Sequence, residues 1–191
     1  SAEKSEGRGG LSGEGIGGEW RKLVAAPEPA ASVDSMRMTG VLARVLKGGD
    51  DRALPLLVSI EQHFHLATDP MRRLACLGGD GHGLRLSNDE KRRLALLREG
   101  MASSEAAGVL GYRYGATNAV SILSLRAAML EQHLTEGDVA TAKYGADQEF
   151  PVKAADLMPG FQGPALGARL KELEAHWIAT GFTLSKAQLL R

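Results

Sequence analysis

The residues whose types and spacing best suit contact with a ligand lie between Phe150 and Arg191, where Gly163 and Pro164 precede a helical pattern. Proline fits the first turn of a helix, because its missing N–H has no helical partner there anyway. A helix that begins behind such a loop presents free backbone N–H groups and the positive end of its dipole, and both favour a phosphate oxygen. The pattern indicates either a phosphate contact or an ordinary helix start that packs on its neighbour.

Other groups of residues that could do chemistry are incomplete. The glycine-rich run at 10–18 has no buried strand before it and no P-loop lysine. His63 and His65 would project about 200° apart on a helix and could not hold one metal ion. Asp50 and Asp51 follow two glycines, whereas two-metal phosphoryl transfer needs carboxylates held rigidly on neighbouring strands. We therefore expect no catalytic residue and no metal site in this chain.

Basic and aromatic residues that could contact RNA cluster locally. Five basic residues lie in or just before one predicted helix, and two lie on the preceding helix: Arg85, Lys91, Arg92, Arg93 and Arg98, with Arg72 and Arg73. This cluster suits an RNA contact that depends on shape. Acidic residues such as Asp89 and Glu99 are interspersed, so a solvated helix face is the alternative. Tyr112 and Tyr114 could stack on a base, but at helical spacing at least one belongs to a core.

Composition is that of a soluble globular protein. The 191 residues suffice for one domain or two small ones, with 43% hydrophobic and 24% charged residues. Because 23 basic residues balance 23 acidic ones, nucleic-acid binding must come from local patches. The single Cys76 cannot form an intrachain disulfide and is predicted to be a small core residue in a reducing compartment. With no run of 18 apolar residues and no leader sequence, we expect a cytoplasmic protein without a membrane partner.

Periodicity predicts an all-α fold, a multi-helix array of short helices with a small C-terminal helical tail. The first predicted helix begins at Ser12, carries Trp20 and Val24, and ends before Pro27. A second begins at Pro29, and a short element covers residues 41–46.

The later helices have clearer start signals. Pro55 opens one helix, Asp69 and Pro70 cap and start the next, and Ser87 to Glu90 has capping-box spacing. Further helices are predicted at about 103–113, 116–134, 138–145, 164–180 and 185–190. A weak boundary at about 145–151 sets off the last segment.

Five segments, in chain order, resemble one family. They are LSGEGIGGEWRKLVAAPEPAASVDSMRMTGVLARVL (11–46), DPMRRLACL (69–77), LRLSNDEKRRLALL (84–97), GYRYG (111–115), and FPVKAADLM with GFQGPALGARLKELEAHWI (150–178). In this order they resemble the neck, body and tail of bacterial tRNA nucleotidyltransferases, the CCA-adding and poly(A) polymerase family. One departure is Gly15, next to Glu14, where the family pattern usually has arginine. Glycine cannot make a polar side-chain contact in place of that arginine.

The resemblance implies a parent enzyme that adds CCA or AMP to RNA 3′ ends, using Mg²⁺ with ATP or CTP. The family's catalytic head, with its Gly-Gly loop and Asp-x-Asp motif, would precede this sequence, so we expect this chain to be inactive alone and to hold no cofactor. The implied regions are a disordered or tag-like stretch (1–10), a neck remnant (11–47), a helical body (48–145) and a helical tail (146–191). CCA addition and poly(A) addition both remain open.

The implied role is to hold the acceptor arm and elbow of tRNA, and not DNA, so that the RNA 3′ end reaches the head. Eight residues are the RNA-binding candidates: Arg85, Lys91, Arg92, Lys153, Gly163, Gly167, Arg169 and Lys171. The alternative function is a non-enzymatic helical module whose apolar faces bind other proteins, which the balanced charge allows. The oligomeric state is open in both cases.

Overall fold

The computed structural model describes residues 20–22, 24–25 and 40–191 of the chain. These residues are mostly helical and form no strand, apart from an isolated bridge between Gly49 and Gly78, which confirms the predicted all-α fold. Within the same residues, no helix combines the length and apolar character needed to cross a membrane. The helix predicted from Pro29, the tag-like stretch 1–10 and Gly15 lie outside the described residues.

The helices after residue 50 follow one another through short connections. They are α1 (Leu54–His63), α2 (Pro70–Leu77), α3 (Asn88–Ala102), α4 (Ala107–Tyr114), α5 (Ala116–Met129), α6 (Glu136–Ala146), α7 (Ala154–Leu157), α8 (Pro164–Ala179) and α9 (Lys186–Leu189). Residues 20–22 and 24 are also helical, as are residues 40–45. The predicted first helix is thus helical at residues 20–22 and 24, and the short element at residues 41–45.

The chain divides into two compact units. Unit 1 contains the described residues up to Ala102 together with Ser124–Leu134, and unit 2 contains Ser103–Leu123 and Thr135–Arg191. Helix α5 therefore begins in unit 2 and ends in unit 1. The boundary that we expected at about 145–151 falls inside unit 2, because α4 and α8 contribute to one aromatic core.

The start signals of α2 and α3 act as the sequence predicts. The Asp69 carboxylate accepts hydrogen bonds from the backbone N–H groups of Met71 and Arg72, at 3.0 and 3.3 Å. At α3, the Glu90 carboxylate accepts from the Ser87 N–H at 2.7 Å, and the Ser87 hydroxyl accepts from the Glu90 N–H at 3.2 Å. These side chains satisfy N–H groups that have no partner within the helix.

Several helix bounds differ from the predicted ones. α4 begins at Ala107 rather than near residue 103, because Ala106 is extended with a ψ of 160°. α5 ends at Met129 rather than near residue 134, and Glu131 then has a positive φ of 52°. α6 begins two residues earlier than expected, at Glu136. The four-residue helix α7 was not predicted, because one turn is too short to produce a periodic pattern.

Unit 1 is organised around a buried carboxylate. Glu61 on α1 is 3% exposed, and its Oε1 accepts from Arg72 Nε and Nη2 at 2.9 and 2.8 Å. Its Oε2 accepts from Arg73 Nε and Nη2 at 3.0 and 2.7 Å. The two guanidinium groups are equally buried, and Arg72 also donates to the Ala67 carbonyl at 2.7 Å. This cluster fixes α2 on α1.

The described residues before position 26 are attached to the same unit by two arginines. Arg73 Nη1 donates to the Val24 carbonyl at 2.8 Å. Arg21 donates to both carboxylate oxygens of Glu90, from Nε at 2.9 Å and from Nη2 at 2.6 Å. The hydrogen bonds from Arg21 hold the pKa of Glu90 below its ordinary value. Trp20 and Val24 are buried, as their position on a helical stripe predicts.

In unit 2, α4 and α6 approach so closely that only glycine fits at two positions. A Cβ atom at Gly111 would lie 1.9 Å from the Ala142 carbonyl oxygen, and one at Gly145 would lie 2.0 Å from the Gly108 carbonyl oxygen. Both atoms belong to the opposing helix backbone, which cannot move aside as a flexible side chain can. The two helices therefore pack backbone against backbone.

The core of unit 2 is aromatic. Trp177 on α8 is 2% exposed, and its ring lies 4.9 Å from that of Phe182 and 5.4 Å from those of Tyr112 and Phe150. Edge-to-face and tilted pairs at these distances add stability beyond the burial of apolar area. Leu173, one turn before Trp177, is buried in the same cluster. The predicted apolar stripe thus fixes which face of α8 is buried.

We expect Glu61→Ala to lower the free energy of unfolding by about 3–5 kcal/mol, because it leaves two buried guanidinium groups without their carboxylate. Urea unfolding followed by circular dichroism measures the change. Glu99→Ala is the matched control, since Glu99 is exposed on α3 and its replacement should change stability by less than about 0.5 kcal/mol. Equal stability of the two variants would mean that the buried cluster contributes no net stability.

Gly145→Ala is expected to lower the free energy of unfolding by about 3 kcal/mol or more, because the added methyl group collides with the Gly108 backbone. The control is Gly167→Ala on α8, where nothing lies within 4 Å of the added Cβ. Since alanine has the higher helix propensity, Gly167→Ala should raise stability by about 0.5–1 kcal/mol. Thermal unfolding measures both changes, and a neutral Gly145→Ala would refute the backbone contact.

Candidate functional site

Three RNA-binding candidates lie at the start of α3 in unit 1. The side chains of Arg85, Lys91 and Arg92 are exposed. Arg92 Nη2 lies 3.1 Å from Asp89 Oδ1, but both side chains are more than three-quarters exposed, so this ion pair holds Arg92 only weakly. Lys91 takes part in none of the ion pairs found among the described residues. These cations could therefore turn towards a phosphate at little cost.

The four other members of the predicted basic cluster are buried or partly buried. For two of them, the prediction that they lie on an exposed basic surface is wrong. Arg72 and Arg73 are 4% and 2% exposed, because both bind the buried Glu61, so neither can contact RNA. Arg93 binds both carboxylate oxygens of Asp69. Burial opposes ionisation of Asp69, but the hydrogen bonds and charge of Arg93 outweigh it and lower the pKa of that carboxyl.

Arg98, the fourth, is partly buried at the far end of the cluster. Its Nη2 donates to the Gly79 carbonyl at 2.6 Å, and burial lowers the pKa of its guanidinium group. The basic surface of α3 is therefore confined to its first two turns. Sequence spacing alone suggested a surface twice as long.

The second group of candidates lies in unit 2. Lys153 precedes α7, Gly163 is the N-cap of α8, and Gly167, Arg169 and Lys171 lie in the first two turns of α8. All are exposed except Arg169, which is partly buried. Gly163, Gly167, Arg169 and Lys171 thus follow one another along the first part of α8, whereas the α3 group belongs to the other unit.

The start of α8 has the form that the Gly-Pro pair predicts. Gly163 has a φ of 58°, which disfavours any other residue there, and Pro164 occupies the first turn. No side chain caps this helix end. The exposed residues of the first turn are small, and a Cβ atom at Gly163 or at Gly167 would meet nothing within 4 Å. The backbone here is accessible to a large ligand.

Arg169 is held only weakly in its observed position. Its Nη1 donates to Glu172 Oε2 at 2.8 Å, in an ion pair whose acidic side chain is 69% exposed. Its Nε is buried without a hydrogen-bond partner among the described residues, which carries a desolvation cost of about 1–3 kcal/mol. A cavity of about 200 Å³ lies beside it, lined also by His176 and Gln188. Arg169 can therefore exchange its present contacts for a phosphate without a large loss.

The sequence patterns did not single out Phe161, which lies between α7 and α8 and is 40% exposed. The Arg169 guanidinium carbon lies 5.9 Å from the centre of its ring. A phenylalanine between a glycine and a glutamine can be either buried or exposed, so the sequence alone does not predict the exposure of Phe161. Trp177 and Phe182 are core residues of unit 2, and Phe150 is partly buried against them.

The remaining chemical candidates do not form a site in the structure. His63 and His65 are exposed, and Asp50 binds Arg52 through both carboxylate oxygens, at 3.0 and 2.8 Å. Among the described residues, no group of three or more His, Cys, Asp and Glu side chains lies close enough together to hold a metal ion. Cys76 is 1% exposed, as predicted for a core residue, and burial raises its pKa to about 12.

Of the two tyrosines that could stack on a base, Tyr112 belongs to the core. Its ring packs on Trp177, and its hydroxyl donates to Glu174 Oε2 at 2.8 Å. Burial and this hydrogen bond raise the pKa of Tyr112 to about 12. Tyr114 is partly buried at the end of α4. Of the two tyrosines, Tyr112 therefore packs against the core, where its ring is partly buried.

Comparison of the chain with models of protein families, with curated proteins and with solved structures finds no match.

Tyr112→Phe is expected to remove a phenol whose pKa is about 12. It should also lower the free energy of unfolding by about 1 kcal/mol at neutral pH, because it deletes the hydrogen bond to Glu174. Because the folded pKa is raised above the unfolded value of about 10, this phenol stabilises the fold below pH 10 and ceases to do so as pH rises to about 12. The stability difference from wild type should therefore shrink over that range.

Ultraviolet difference spectra and urea unfolding at several pH values measure the two effects. Tyr144→Phe is the control, since Tyr144 is 50% exposed. An unchanged high-pH titration in Tyr112→Phe would contradict the burial of this hydroxyl.

Proposed function

We propose that this chain is an RNA-binding helical region of a template-independent RNA nucleotidyltransferase, the class of enzyme that adds CCA or AMP to RNA 3′ ends. It would bind the acceptor arm and elbow of tRNA and so position the 3′ end for the catalytic part of the enzyme. The proposal rests on the five segments that resemble this family in the same order along the chain. The all-α fold is consistent with it.

One observation supports RNA contact most directly. In two of the resembling segments, 84–97 and 150–178, basic side chains remain exposed beside a helix start. Lys91 and Arg92 lie in the first turns of α3, and Arg169 and Lys171 lie in the first turns of α8. At α8, which no side chain caps, the helix start and the nearby cations both attract a phosphate oxygen. At α3, Ser87 and Glu90 already cap the helix, so the exposed cations alone provide the attraction.

Local charge at α8 favours RNA although the chain as a whole is neutral. The acidic side chains near this helix start already have partners in the structure: Glu172 with Arg169, Glu174 with Tyr112, and Asp156 with Lys186. Lys153 and Lys171 take part in none of the ion pairs found among the described residues. Lys171 therefore offers an incoming phosphate a cation outside these ion pairs, whereas Lys153 also faces the charge of Asp156.

Chemistry itself would belong to the catalytic part of the parent enzyme, with Mg²⁺ and ATP or CTP bound there. The residues of this chain would bind and orient the RNA. A substrate that is held in the reactive orientation reacts faster, because the entropy cost of orienting it is met on binding and not in the chemical step. CCA addition and AMP addition require the same positioning, so the proposal covers both.

A different surface favours the second candidate function, a helical module that binds proteins. Leu56 on α1 and Met129 at the end of α5 line a cleft of about 490 Å³ in unit 1 and are 38% and 46% exposed. Leu130, the next residue, is 61% exposed. Three exposed large apolar side chains near one cleft are typical of an interaction surface.

For the RNA-binding proposal, we expect the 191-residue chain to bind a tRNA transcript with an affinity that falls steeply between about 50 and 200 mM salt, because phosphate contacts release counterions. The double variant Lys91→Glu, Arg92→Glu should bind more weakly, and the slope of log K against log salt should fall by about 2. Filter binding at several salt concentrations measures both quantities.

The matched control is Arg44→Glu, Lys47→Glu, which changes the net charge equally at two exposed positions of unit 1 outside the candidate set. Equal weakening by both double variants would indicate a general charge effect and not a contact at α3. Absence of RNA binding at any salt, together with self-association that Leu130→Glu abolishes, would reject the RNA proposal in favour of the protein-binding module.

A further inference from the structure

Phe161 is the aromatic side chain in the 150–178 segment that the core does not use. It is 40% exposed, and Met158 three residues before it is 54% exposed. Part of the ring is therefore in contact with water beside the start of α8 and is available to a ligand.

The surroundings of the ring are open and made of small residues. Gly160 and Gln162 flank it, and the exposed start of α8 is Pro-Ala-Leu-Gly-Ala, in which only Leu166 is large and partly buried. A Cβ atom at Gly163 would have nothing within 4 Å. Of the side chains beside the ring, Gln162 and Arg169, which lies over it, are the ones that would make room for a flat group.

A cation stands next to the ring. The guanidinium carbon of Arg169 lies 5.9 Å from the ring centre, within the range of a cation–π contact. An aromatic face beside a guanidinium group is the arrangement that proteins use for nucleotides in single strands and loops. The base stacks on the ring, and the cation meets the phosphate.

Resting on the proposed function, we infer that Phe161 stacks on a base of the bound RNA that has an exposed face, in a loop or at the end of a helical stack, while Arg169 meets an adjacent phosphate. The contact is independent of base identity, because every base has a π-face. A protein partner fits this site less well. A stable protein interface buries about 800 Å² on each side, which Phe161 and Met158 alone cannot supply.

The test measures binding of a tRNA transcript to the 191-residue chain and to Phe161→Ala. Loss of one stacked base should raise Kd by about 5- to 150-fold. The slope of log K against log salt should stay unchanged, because no phosphate contact is removed. Phe161→Tyr keeps the ring and should restore binding to within about threefold of wild type.

Met158→Ala is the matched control, since it shortens a neighbouring exposed side chain that has no π-face. It should leave Kd within about twofold of wild type. Thermal unfolding of each variant checks that the fold is kept, which is expected because Phe161 lies outside the buried core.

Three outcomes would overturn the inference, and they are distinguishable. If wild type binds tRNA and Phe161→Ala binds equally well, the stacking contact is absent while the proposed function stands. If wild type binds no tRNA, the proposed function and the stacking contact fail together. If wild type self-associates in gel filtration and Phe161→Ala and Met158→Ala are both monomeric, the patch is an interface between copies of this chain.

Discussion

The burial of Glu61 is the constraint on which unit 1 depends. Removing a carboxylate from water costs several kcal/mol, and the cost is offset only if its oxygen atoms are hydrogen-bonded in the interior. Two arginines on α2 meet that requirement, and one of them also binds the Val24 carbonyl. The same helix carries the Asp69 cap, which binds Arg93 on α3. The buried charge thus joins α1 to α2 and, through Arg73, to Val24, while Asp69 joins α2 to α3.

Unit 2 has no buried ion-pair cluster like that of Glu61 among its described residues, and close packing organises its core. Its α4 and α6 meet through glycine, and its core is a group of aromatic rings around Trp177. This difference has a direct bearing on the candidate site. Because Leu173 and Trp177 are committed to the core, the start of α8 with Gly167 and Lys171 stays exposed. The packing of one face of α8 therefore decides which residues of the other face a ligand can reach.

Local signals in the sequence predicted much of the fold, whereas contacts between distant residues were not predictable. The Asp69 cap, the Ser87 capping box and the Gly-Pro start of α8 depend on neighbours within a few residues, so they could be identified directly. Arg72 and Arg73 were assigned to a basic surface because their partner lies 11 and 12 residues away. Nothing local distinguishes a cation that faces water from one that faces a buried carboxylate.

In the candidate site, too, features set by local sequence were predictable and features set by distant contacts were not. The exposed cations at α3 and α8 follow from helix periodicity, since they lie outside the apolar stripes. The exposure of Phe161 depends on which other aromatic residues fill the core of unit 2. That selection is a property of the packed unit and not of the loop that carries the ring.

The Glu61 cluster also has a kinetic consequence. It encloses two positive charges and one negative charge, whereas the whole chain has a formal net charge of zero. The rest of the chain therefore carries one negative charge in excess. A chain whose total charge is zero exerts little long-range attraction on a polyanion, and beyond the Debye length of about 8 Å at physiological salt that attraction is screened. A polyanion would reach its contacts at the unsteered diffusional rate of about 10⁵–10⁶ M⁻¹s⁻¹, and unrelated polyanions would be poorly retained after a chance encounter.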